Sequence, residues 1–165
     1  ATGALYQPSD LNVIDWNKDG VAMLQDAIWA NTDKLKNDTA YQDTAVKLLK
    51  GAIAGWAYCR DNFQPCVDIV LKNGPTLGKG HQTWQMNEIN ALIWPNSSGI
   101  GVVPKKAIAN TANIAKTYGV IKKVPQNATT YQYADKALDQ LKKAGVDVWG
   151  KNWKPATVKV TEGGK

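Results

Sequence analysis

Cys59 and Cys66 are the only cysteines in the 165-residue chain, and both fall in "GWAYCRDNFQPCVDIVLKNG", residues 55–74. Around them the apolar period is helical. Val46, Leu49, Ile53 and Trp56 recur every three or four residues before the pair, and Cys66, Val67, Val70 and Leu71 do so after it. Asp61 or Asn62 is suited to cap a second helix, with Pro65 in its first turn where no N–H is required. The two cysteines then flank a helix–turn–helix corner, within reach of the ~4.4–6.8 Å Cα separation that a disulfide needs. A metal pair would need further ligands, and the single His81 lies in another segment. Two unlinked core cysteines are the alternative. A disulfide is the expectation, and with it an oxidising, exported location.

Further helices are expected over residues 80–94, ended by Pro95, over 105–118, closed by Gly119, and over 131–144, closed by Gly145. With the two at the cysteine corner this makes five. Trp56 is expected on the buried stripe of the first. "LNVIDW", residues 11–16, alternates like a short strand and runs into the Asp19–Gly20 turn signal. The segment after it, to Asn31, fits a strand or a helix start. The last twenty residues read as an irregular tail.

Charge narrows the function. The net charge is +6, with only one arginine, and the lysines come as scattered pairs such as Lys105–Lys106 and Lys122–Lys123. Base reading and bidentate phosphate contacts favour arginine, so a nucleic-acid partner is not expected. No long apolar run suggests a membrane span. The chain begins "ATGALYQPSD", which carries neither a charged n-region nor an apolar h-region, so any export signal is expected to be absent or already removed. There is no nucleophile–base set, phosphate loop or metal-spaced cluster, so neither catalysis, a cofactor nor a metal is expected.

Gly55-Trp56-Ala57-Tyr58, Asn62 through Cys66-Val67-Asp68-Ile69, and Gln82 through Trp94-Pro95 follow one another in a colinear order. In that order the chain resembles the C-terminal half of bacterial ABC-transporter substrate-binding proteins, of the nitrate/sulfonate/taurine and thiamine-pyrimidine-precursor type, over residues 12–144. The resemblance implies a helix-rich α/β chain, part of a two-lobed periplasmic-binding-protein-like (type 2) fold, with five main helices and few strands. Residues 1–30 would end the second lobe and cross back, 31–145 would form the helical part of the first lobe, and 146–165 the tail. It implies a periplasmic or cell-surface receptor, lipid-anchored in one version, that captures a small metabolite in an interlobe cleft and delivers it to an ABC permease.

The family is about twice this length, so a second polypeptide carrying the N-terminal half is an expected partner. Trp16, Asn17, Asp19 and Trp29 are the expected ligand-binding residues. Trp16 would stack on a planar ligand, and Asn17 and Asp19 would bind its polar edge. Two rival readings are a stand-alone helical interaction module and an enzyme resembling pyrimidine synthases. The enzyme lacks support, because the chain has no cysteine-rich run and no second histidine.

Overall fold

The computed structural model describes residues 8–159, Thr161 and Gly164. Residues 1–7 of the first predicted segment, and 160, 162, 163 and 165 of the last, lie outside the described residues. A short 3-10 helix at Pro8–Asp10 precedes six α-helices: α1 (Thr32–Asn37), α2 (Thr39–Asp61), α3 (Phe63–Asn73), α4 (Lys79–Ile93), α5 (Lys105–Thr117) and α6 (Gln132–Lys143).

Among the described residues there is no strand, so the architecture is all-α. The expected α/β chain, part of a two-lobed type 2 fold, does not form. The reason lies at residues 11–14. Among the described residues their backbone is neither helical nor paired with a second segment, and alternation without a ladder partner does not make a strand. The alternation was real, but no segment among the described residues pairs with it.

The chain divides into two compact units. One comprises residues up to Ala30 together with Val103–Thr130, and the other Asn31–Val102 together with Tyr131 onward. The second holds the main core. Asp38 caps α2 by accepting from the Tyr41 N–H at 3.0 Å, and Asn31 caps α1 by accepting from Lys34 N–H at 3.0 Å. Tyr133 Oη and Gln42 Nε2 both donate to the Leu35 carbonyl, which ties α6 and α2 to the end of α1.

α6 lies along α2, and Val46, Ile53, Leu138 and Leu141 are buried with Trp94, Ile100 and Val148. The inward face of α2 is Val46, Ile53, Ala57 and Arg60. Trp56, expected on that face, is 37% exposed. From Ile53 the stripe continues at i+4, to Ala57, rather than at i+3.

Cys59 and Cys66 are disulfide-bonded with Cα atoms 5.1 Å apart, joining the end of α2 to α3. The bond fits an oxidising, exported environment. No helix among the described residues is long and apolar enough to cross a membrane.

One residue from the cysteine, Arg60 fastens α2 to the turn at 147–150. Its side chain is 4% exposed. Nε and Nη2 donate to the two Asp61 carboxylate oxygens at 2.6 and 2.8 Å, and Nη1 donates to the Asp147 carbonyl at 2.7 Å. The guanidinium lies over the Trp94 ring, 4.6 Å from its centroid. Gly150 closes this knot with φ +59°, and a Cβ there would sit 2.7 Å from Trp94. The chain's one arginine is therefore a structural bolt.

Candidate functional site

The candidate site belongs to the first unit. Asp15 opens its turn by accepting from Asn17 N–H through Oδ1 at 2.9 Å, while Asp19 N–H donates to the Asp15 carbonyl at 3.1 Å. Val21 N–H then donates to the Trp16 carbonyl at 3.0 Å, and Gly20 takes φ +74°, a left-handed value that favours glycine. This folding presents Trp16, Asn17 and Asp19 on one short arc. Trp16 is 64% exposed.

The following segment lies against α5. Leu24 N–H donates to Thr111 Oγ1 at 2.9 Å, and Asn110 Nδ2 donates to the Ala22 carbonyl at 3.1 Å. At the far end of α5 the chain reverses through Gly119, with φ +75°. Val120 N–H donates back to the Ala115 carbonyl at 2.8 Å. The two reversals face an open groove of about 650 Å³, lined by Trp16, Asn17, Gln25, Ile114, Tyr118 and Val120 among others. A second hollow of about 560 Å³ lies within the 13–19 turn itself, and Asp15, Lys18 and Asp19 line it.

The structure thus gathers Trp16, Asn17 and Asp19 at one turn. Trp29 is 85% exposed and lines neither hollow. Tyr118 and Gln25 do line the groove, and sequence reasoning did not single them out. Gln25 carries no local signal. Tyr118, just before the Gly119 helix stop, is visible as a helix end, but nothing in its spacing points to Trp16.

Chemically the site pairs two exposed aromatic faces with two carboxamides. Each amide offers both donors and an acceptor. Among the described residues no group of three or more His, Cys, Asp or Glu stands where it could hold a metal ion. The knot around Arg60, in the other unit, is the place where ionisation is perturbed. Hydrogen bonding to Asp61 holds the guanidinium above its ordinary value, against the cost of burial and with help from the Asp61 and Asp147 charges. Burial pushes the Asp147 carboxyl up. The Trp149 and Gly150 N–H groups, with Arg60 and Lys151, outweigh it and leave the carboxyl below its ordinary value.

No family model, curated protein or solved structure matches the chain.

Proposed function

We propose that this chain is the solute-binding component of an ABC importer, exported to the periplasm or cell surface. It captures a small metabolite and passes it to a membrane permease, and it carries out no catalysis itself. The groove beside Trp16 and Asn17 carries this reading: an open, mostly apolar site with a few convergent polar groups is the form small-molecule sites take. The disulfide supports export, and the resemblance over residues 12–144 supplies the transporter context. Trp16, Asn17 and Asp19 contact the ligand, and Trp29, which lines neither hollow, would reach it only from outside them. A second polypeptide is the chain's partner, and it covers the exposed apolar side chains of residues 11–14.

The test is purification of the chain from its native source, followed by thermal shift against a metabolite panel. A co-purifying second polypeptide, and a stabilising small molecule whose effect is lost in Trp16→Ala, are the expected results. A panel with no stabilising member would overturn the receptor reading.

One observation favours a second reading, a stand-alone helical interaction module. The unit built from α1–α4 and α6 has a core of its own without strands. That module would bind a protein with unchanged affinity in Trp16→Ala, and no small molecule would stabilise it.

A further inference from the structure

We infer that Tyr118 and Gln25 complete the ligand site with Trp16 and Asn17, and that the site selects an uncharged planar ring over an anion; this rests on the receptor reading above. Tyr118 is 71% exposed on the groove wall, so with Trp16 the groove has an aromatic face on each of its two chain segments. Aromatic faces hold planar groups by offset or edge contact. Among the described residues neither the Asn17 nor the Gln25 carboxamide is engaged by a protein partner, so both are open to a ring's polar edge.

Charge decides the class of ligand. The groove lining contains no lysine, arginine, histidine or carboxylate. In the neighbouring hollow, two carboxylates, Asp15 and Asp19, face one ammonium, Lys18, whose Nζ lies 4.0 Å from Asp15. Two negative charges against one positive leave that hollow with an excess of one negative charge. An anion held there would meet a net negative charge, because the one ammonium is already outnumbered by the two carboxylates. The chain's only guanidinium is committed to Asp61 and Asp147. A ring with a neutral amide or amino edge meets no such penalty, and the Asn17 and Gln25 carboxamide oxygens in the groove offer it acceptors. The whole chain carries +6, which draws anions non-specifically, so a preference for the neutral ring would be the site's own.

Nicotinamide and nicotinate test this, because they share a ring and differ in one group's charge at neutral pH. Saturation-transfer NMR on the full chain should show nicotinamide binding about tenfold more tightly than nicotinate. Tyr118→Ala and Gln25→Ala should each weaken nicotinamide by about tenfold. Leu92→Ala, an exposed position on α4 in the other unit, should leave it unchanged, and unchanged helical circular dichroism checks each variant's fold. Equal or tighter nicotinate, a nicotinamide signal indifferent to Tyr118→Ala, or no signal from either ring would overturn the inference. Nicotinate binding that still requires Tyr118 would overturn only the charge preference and leave a receptor for an anionic cargo. The receptor reading itself is tested separately, by the metabolite panel.

Discussion

At the residue scale, the corner at 59–66 and the Arg60 knot set what single substitutions do. The Cys59–Cys66 bond closes a short loop, which by chain entropy contributes on the order of 2 kcal/mol. Intact-mass analysis of unreduced protein should find no alkylatable thiol, and reduction should lower the melting temperature modestly while leaving the helical signal. Arg60→Lys removes the planar fork that reaches Asp61 and the Asp147 carbonyl together, so it should destabilise by about 2–3 kcal/mol in urea titration. A loss no larger than that of an exposed Lys→Ala control would contradict the bolt assignment. The Asp147 carboxyl adds a pH dependence. Its folded value lies below the ordinary 3.8, so the unfolded chain takes up its proton first on acidification. Its contribution is therefore complete above the ordinary value and is lost as pH falls through the lower folded one. Asp147→Asn should melt below the parent near neutrality and converge with it in strong acid.

At the element scale, α2 shows what the sequence could and could not say. From Ile53 the stripe could continue at Trp56 or at Ala57, and the 3.6 period permits both. Burial of Arg60 under Trp94 and Asp147 selects Ala57, and those two partners lie 34 and 87 positions away from Arg60. Trp56→Ala should accordingly cost less than about 1 kcal/mol, while Ile53→Ala and Leu138→Ala should each cost about 2–5 kcal/mol through cavities. Chemical denaturation of the three variants checks the order.

The helix limits were legible because caps and stops are local. Gly119 and Gly145 each stand within two residues of the helix end they close, and Asn62 holds the cap position of α3 without a side-chain bond to it. The Asp38 cap of α2 was not singled out, because it precedes the apolar stripe. α1 was not legible, since its six residues hold one apolar side chain, Leu35, and no period. The strand over 11–16 failed for the opposite reason: alternation reports a face and says nothing of a partner. The same limit divides the candidate site. The Asp19–Gly20 turn was readable from two adjacent residues, whereas the meeting of Trp16 with Tyr118 spans a hundred positions and is made by α5.

At the scale of the whole molecule, the two units differ in how well they cover their apolar residues. The unit with the main core buries Val148, Leu138 and Trp94 almost completely. The other leaves Val13 73%, Ile14 63% and Trp29 85% exposed, on backbone that makes no ladder. Exposed apolar residues on backbone outside any helix or sheet recruit other chains, since their apolar surface lacks cover. The purified chain should therefore bind an apolar dye such as ANS, and it should elute from size exclusion with a concentration-dependent volume. Replacing Val13 and Ile14 together by lysine should suppress both effects. The melt of the unit built on α2 and α6 should not move, because neither side chain belongs to its core. A co-expressed second polypeptide should suppress the same effects in the unsubstituted chain, and should lose its hold on the double lysine variant. A sharp, concentration-independent monomer peak without dye binding would show that residues 11–14 need no cover, and would favour the stand-alone helical module over the receptor.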